Sequence, residues 1–338
     1  MATMAVNLNV LQATEEFETI LGRLHGRNLP EFFELIEERI ARERNGVGAG
    51  AGAGQLKGAE ASVEDAEEPS NSDVMMRSIA DDLRSHPLIP PDAVMKSERI
   101  YHPTSGEFAA LDPITVVSVD KFLYEDDEAI DEMCDEGLLS RNYCLDCGSH
   151  HTAPLNFISH SASLLQLKFM FQKALPDLAG KTVVDIGSRL GPALYGAYFY
   201  SGAARIVGIE INPELCAIQE DIVQKFALRD RIQIINADVC TQASLLQEAD
   251  VIIMHNVFEF FAPAEAQISV WKFLRKTLKK TGSFLVTVPS LEKSFAALQL
   301  PTDLSAWVKR LPLDHMSMWM REDEAKEEVG VICLYQIV

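Results

Sequence analysis

From Thr182 to Asn212 the chain reads as a strand, a glycine-bracketed turn, a helix and a second strand, an order that few architectures accommodate. Thr182-Val183-Val184-Asp185-Ile186 is a β-branched apolar run of strand length. It feeds Gly187-Ser188-Arg189-Leu190-Gly191, and Pro192 follows, whose fixed φ suits the first position of a helix. Ala204-Arg205-Ile206-Val207-Gly208-Ile209 supplies the second strand and delivers Glu210. That residue lies about 20 positions past the last glycine of the turn, the separation that places a carboxylate beside the ribose of a bound nucleoside.

The kind of nucleoside is decided by charge. A dinucleotide site needs Gly-x-Gly-x-x-Gly, so that backbone amides approach the pyrophosphate at a helix N-terminus. No such triplet is present; Arg189 stands between the two glycines, and Asp185 ends the strand where a pyrophosphate would be repelled. Carboxylates suit a cation. S-adenosylmethionine carries a sulfonium and an ammonium and no phosphate. Asp185, Gly187 and Gly191 resemble the first motif, acidic-x-Gly-x-Gly-x-Gly, of the class I (seven-strand) S-adenosylmethionine-dependent methyltransferases. The resemblance runs over residues 161–338. It implies that Gly187, Ser188 and Gly191 lie against the methionine part of the cofactor beside Asp185, that Glu210 takes both ribose hydroxyls, and that Asp238, followed by Val239, holds the adenine amino group. Arg189 departs from the motif, occupying the place of its middle glycine and bringing a cation toward the sulfonium position.

Downstream, strand and helix alternate, as in a parallel sheet covered on both faces. Asn212-Pro213-Glu214 is an N-cap, a first-turn proline and a first-turn acid, and Leu215, Ile218, Ile222 and Phe226 recur at helical spacing. Residues 231–235 read as the third strand, a short helix passes through residues 244–246, and the wholly apolar residues 251–254 read as a buried fourth strand. A helix around Ile268, Trp271 and Leu274 precedes a fifth strand over residues 283–288. The tail, with Met316 to Met320, an acidic turn over residues 321–324 and a β-rich stretch from Val329, reads as a terminal antiparallel hairpin. The expected fold class is therefore α/β, a Rossmann-like doubly wound seven-strand methyltransferase sheet with a helical N-terminal extension.

The domain organisation follows from composition shifts along the 338 residues. Residues 1–45 carry two helix-like segments, around Phe17, Ile20 and Leu24 and around Phe32, Ile36 and Ile40, whose apolar faces await the main domain, a second subunit or a partner. Residues 46–73, an alternating Gly and Ala tract followed by polar and acidic residues, read as a disordered linker. Residues 74–160 form a cap or lid on the substrate side, and residues 161–338 the cofactor domain. No apolar run approaches the roughly 20 residues of a membrane span, no signal segment opens the chain, and six scattered cysteines suit reduced thiols; an intracellular, cytoplasmic or nuclear, location is expected. A net charge of −20 disfavours nucleic acid as a partner and suits a basic protein segment or a cationic metabolite.

The chemistry should lie after the fourth strand. Met254-His255-Asn256-Val257-Phe258-Glu259-Phe260-Phe261 occupies the place of the family's catalytic loop, and it lacks the prolines of the enzymes that methylate nucleic acid amines. Residues 249–260 are similar to the corresponding loop of the disruptor-of-telomeric-silencing family of histone lysine methyltransferases. That likeness implies an amine acceptor on a protein, Asn256 positioning polar groups near the methyl, Phe258 and Phe260 walling a channel, and His255 or Glu259 taking a proton. A small-molecule methyltransferase is the alternative within the class; a non-catalytic S-adenosylmethionine-binding sensor or scaffold is the alternative outside it. Cys144 and Cys147, with Cys134 and one of His150 or His151, read as zinc ligands, or else His150, His151 and Asn156 read as polar groups of the lid; no second Cys-x-x-Cys closes a site, and no metal is assigned.

Overall fold

A computed structural model describes residues 70–90, 92–103, 105–106, 109, 115–124, 134, 137, 140, 142–144, 152–154, 156–313 and 323–338. The expected helices of residues 1–45, the linker up to residue 69, the Met316–Met320 run and the side chains of the Cys144–His151 cluster lie outside them. The first described element, helix α1 (Asn71–Arg84), takes in the last three residues of the stretch read as linker. Its start is chemically well specified. Ser70 and Asp73 form a reciprocal capping box, and Asp73 then reaches across to Lys168 Nζ (2.9 Å) and Tyr200 Oη (2.7 Å). Met76, Ile79 and Leu83 of α1 are wholly buried, each burial worth about 1.5–3 kcal/mol.

Short strands follow. β1 (Val116–Ser118) pairs in parallel with β4 (Asn156–Ile158), and β2 (Asn142–Cys144) pairs antiparallel with β3 (Thr152–Pro154). Helix α2 (Leu164–Phe169) comes next, capped by Ser163 and Gln166 and continued by a wider π-type turn over Met170–Ala174.

The main sheet has seven strands: β5 (Thr182–Ile186), β6 (Arg205–Glu210), β7 (Ile232–Asn236), β8 (Val251–His255), β9 (Phe284–Val288), β10 (Val308–Leu311) and β11 (Cys333–Ile337). Their spatial order is β10-β11-β9-β8-β5-β6-β7, with β11 antiparallel to both of its neighbours and the other pairings parallel. The expected doubly wound seven-strand α/β sheet is thus the sheet observed. The tail differs in one respect. β11 closes the sheet as foreseen, but its hairpin partner is β10, upstream of the expected run, and residues 323–330 of the intervening stretch are helical (Asp323–Gly330). The acidic residues there favour a helix N-terminus as readily as a turn.

Alternation along each strand divides the core between two faces. Val183, Ile206 and Ile253 join one cluster with α1, α2, α3 (Pro192–Tyr200) and α4 (Pro213–Lys225). Val184, Val207 and Ile252 join the other, with α5 (Ala243–Glu248), α6 (Ala264–Thr277) and α7 (Leu291–Ala297). Strands buried on both faces need the continuous apolar runs seen in the sequence. β5 sits at the point where the winding reverses, since the chain proceeds to β6 and β7 on one side and to β8 and β9 on the other. The carboxyl ends of strands at such a switch point form a crevice, which is where ligands of open α/β sheets bind.

Candidate functional site

That crevice is a cavity of about 400 Å³. The turn after β5 contributes Ile186, Gly187 and Arg189 to its wall, and the end of β6 contributes Ile209, Glu210, Ile211 and Asn212. Ala237, Asp238 and Val239 follow from β7. His255, Asn256, Val257, Phe258 and Phe261 close the far end from β8, and His160 stands with them. Gly187, Glu210, Asp238 and Val239, read as cofactor-binding, therefore line the same cavity as His255, Asn256 and Phe258, read as catalytic.

The turn works because of its backbone. Gly187 and Gly191 have φ of +71° and +86°, and at Gly187 a Cβ would lie 2.6 Å from Val257 Cγ1. Glycine lets the catalytic loop close onto the turn. Arg189, with φ of +48°, adopts the same left-handed region without being glycine. Its backbone N–H donates to Glu210 Oε2 (3.0 Å), while Asn212 N–H donates to Oε1 (2.8 Å). Each oxygen of Glu210 is thus fixed by one amide and keeps a lone pair for a ligand hydroxyl. Burial raises the Glu210 carboxyl above its ordinary range, an effect these amides partly offset. Asp185 lies behind the turn rather than on the cavity wall; burial, and then the neighbouring Glu210, push its carboxyl well up. Asp238 caps a short helical turn through Cys240 N–H (2.8 Å) and stands exposed at the mouth above buried Val239.

Five further placements differ from those expected. The Arg189 guanidinium does not intrude on a sulfonium position, because Glu98 (3.0 Å), Asp120 (2.6 Å) and the Ala93 carbonyl draw it away. Burial disfavours its charge, but Asp120 and Glu98 more than compensate and hold it above its ordinary range. Ser188 is turned into the fold, donating to Gln219 Oε1 (2.8 Å), and Gly191 faces Tyr195 instead of the cavity. Glu259 also points away, accepting from Ser294 Oγ (2.9 Å) and from Phe258 N–H (3.2 Å), and Phe260 packs on the His160 ring behind the cavity wall.

The remaining catalytic candidates do face the cavity. Asn256, at φ +51°, donates its side-chain amide to the Ser159 carbonyl (3.1 Å) while its backbone N–H bonds to Val288 O (2.7 Å). Phe258 lies edge-on to Trp271 at 5.6 Å. His255 meets Gln166 Oε1 at 3.3 Å, and burial drives its pKa down to about 4; burial likewise takes His160 to about 3. Both imidazoles are neutral at physiological pH and add no charge to repel a cation.

Sequence reasoning missed the strap over residues 97–101. Ser97 accepts from Asn212 Nδ2 (2.8 Å) and donates to Glu214 (2.6 Å), Glu98 holds Arg189, and Tyr101 N–H bonds to Phe260 O (2.6 Å). No local motif marks it, since its partners lie from 91 to well over a hundred residues downstream. Ile211, 69% exposed on the cavity rim, had a signal, an apolar residue directly after the strand-end carboxylate.

Residues 184–286 match the family model described as a methyltransferase domain. Over 59 residues the chain is 41% identical to the ribosomal protein L11 methyltransferase of Aeromonas hydrophila, a match covering 17% of this chain and 20% of that protein. The chain thus spans about one fifth of the curated relative it matches. Among solved structures, an RNA methyltransferase from Salinibacter ruber in complex with S-adenosyl-L-homocysteine is 17% identical, with a TM-score of 0.30 over 47% of this chain and 80% of that one. A precorrin-6y C5,15-methyltransferase from Geobacter metallireducens is 16% identical, with a TM-score of 0.32 over 44% and 72%. Residues 184–286 are thus similar to a methyltransferase domain, and S-adenosylmethionine is the cofactor that the sequence resemblance implies. The residues lining the cavity fit that cofactor: Glu210 offers two placed acceptors to a ribose, and exposed Ile211 an apolar surface to a base.

Proposed function

We propose that this protein transfers a methyl group from S-adenosylmethionine to an amine on a protein substrate by direct in-line displacement. The observation that carries the reading is the continuity of one cavity from Glu210 and Asp238 to Asn256 and Phe258. S-adenosylmethionine, when bound, supplies the electrophilic methyl. Glu210 and Asp238 orient the nucleoside, while Asp185, whose carboxyl is pushed well up by burial and by Glu210 beneath the turn, adds negative potential toward the cationic end only once it is deprotonated. Phe258 and Phe261 give the far end apolar walls, where an amine sheds its proton more readily than in water. Asn256 holds polar groups in place. The amine nitrogen needs no covalent intermediate, so alignment supplies most of the catalysis. Solvent then receives the proton lost from nitrogen, because His255, its pKa driven down to about 4 by burial, is too weak a base to hold it.

The protein acceptor is favoured by the net charge of −20, by the resemblance of the catalytic loop to the histone lysine enzymes, and by the relative named for methylating a ribosomal protein. Labelled S-adenosylmethionine added to a cell extract with the protein tests the reading. Label that survives nuclease and dialysis but is released by protease, and that is absent with Glu210→Ala, supports it. Label found in RNA or in dialysable metabolites would replace the acceptor.

A further inference from the structure

Beside the cofactor cavity lies a second one of about 310 Å³, on the other side of the same loop. Phe258 and Phe261 face the first cavity, Glu259 faces the second, and Ala262 borders both. The strap divides likewise, Ser97 to Arg99 lining the first and Tyr101 and His102 the second. The floor and walls are largely apolar, from Pro263, Ala264, Pro289, Ala297 and Leu298. Into this setting Glu259 places a carboxylate whose two oxygens are fixed by the Ser294 hydroxyl and the Phe258 amide. Among the described residues no ion pair neutralises it. Burial raises its carboxyl above the ordinary range, the mark of a charge short of compensation. Glu265 adds a second carboxylate at the rim; Lys293 is there too, but it is exposed, where water and salt screen it.

We infer that this second cavity binds a cationic side chain, lysine or arginine, of the acceptor protein next to the amine being methylated. An apolar slot ending in a fixed carboxylate matches a methylene stem ending in a charge. The inference deepens the proposed function and rests on its protein acceptor, and the position of the slot, sharing a loop with Asn256 and Phe258, is what would make it a selector of sequence context. Pairing removes the cost of the lone buried carboxylate, so the site rewards charge more than size.

The test uses the full chain with labelled backbone amides, titrated with Nα-acetyl-lysine methylamide and, separately, with the norleucine analogue that has the stem without the charge. The expected result is saturable binding of the lysine probe with shifts at Glu259, Ser294 and Tyr101. Affinity should fall at least tenfold for norleucine and for Glu259→Gln, whose unchanged thermal midpoint verifies folding. Glu265→Gln, at the rim, should weaken the probe by less than Glu259→Gln. No binding, equal binding of norleucine, or equal binding by Glu259→Gln would overturn the assignment. Probe binding without methyl transfer to any protein would support the cation site and remove the acceptor reading; transfer to protein without probe binding would do the reverse.

Discussion

Arg189 joins the cofactor turn to the N-terminal strap, and its replacement offers a quantitative test of how the site is held. The guanidinium is buried with a side-chain exposure of 9%, against 5% for Glu98 and 1% for Asp120. Removing one member of such a cluster leaves uncompensated buried carboxylates, which costs about 3–5 kcal/mol. The backbone supplies an internal control. At φ +48° a residue with a Cβ sits in the left-handed region at a cost of roughly 1–2 kcal/mol, which glycine avoids. Arg189→Ala should therefore lose about 3–5 kcal/mol, and Arg189→Gly about 2–3 kcal/mol, the difference reporting the backbone alone. Urea unfolding at pH 7 gives both values, with parallel slopes required for the comparison. Both variants should also bind S-adenosylmethionine more weakly, since Glu98 and Ser97 line the cavity. If Arg189→Ala falls within 1 kcal/mol of wild type, the ion cluster does not hold the strap. If alanine is as stable as glycine, the strain argument fails.

Further outcomes follow from the same geometry. Asp185 and Glu210 are raised above their ordinary 3.8 and 4.5, so the stability they favour is present below those values and is lost as pH rises through their folded pKa. Cofactor binding should accordingly release protons in that window, visible by calorimetry in buffers of different ionisation enthalpy, and Asp185→Asn should reduce the release. A buffer-independent heat would count against this. His255, lowered from 6.5 to about 4, works in the opposite sense: its neutral form stabilises the fold above pH 6.5, and that stability drains away as pH falls toward 4. Going from pH 7 to pH 5 should cost about 2 kcal/mol through this ring, and His255→Gln should flatten the acid limb of a denaturation series by that amount. Gly187→Ala should destabilise by about 2–4 kcal/mol, combining φ of +71° with a 2.6 Å approach to Val257, and Val257→Ala should recover part of the loss. Absence of that rescue in thermal melts would separate the turn from the loop.

Much of the sheet was legible because its strands announce themselves. Residues 251–254 are an uninterrupted apolar run, residues 182–186 a mainly β-branched one interrupted by Asp185, and Asn212-Pro213-Glu214 spells a helix start whose cap is present in the structure. Glu210 was legible because the βαβ unit fixes its distance from the turn. What escaped depends on contacts between distant segments. Nothing local to Glu98 or Asp120 says that an arginine about 70 to 90 residues later will meet both, and Arg189 read alone looked like an intruder on the cofactor. Side-chain direction was also out of reach. Ser188 and Glu259 sit in the right segments, yet one turns to Gln219 and the other to Ser294, because a loop residue has no periodicity from which to infer its facing. The tail strand was visible in Val, Ile and Tyr, while its partner, the four-residue β10 with Lys309 and Arg310 at its centre, carried almost no strand signal.

Titration calorimetry with S-adenosylmethionine, on wild type and on Glu210→Ala, bears most directly on the cavity. The geometry predicts one saturable site per chain in the wild type and an affinity at least tenfold lower in the variant, as loss of hydrogen bonds to a carboxylate worth about 1.5–3 kcal/mol requires. No heat and no thermal shift with S-adenosylmethionine or with its demethylated product, or equal binding by Glu210→Ala, would contradict it.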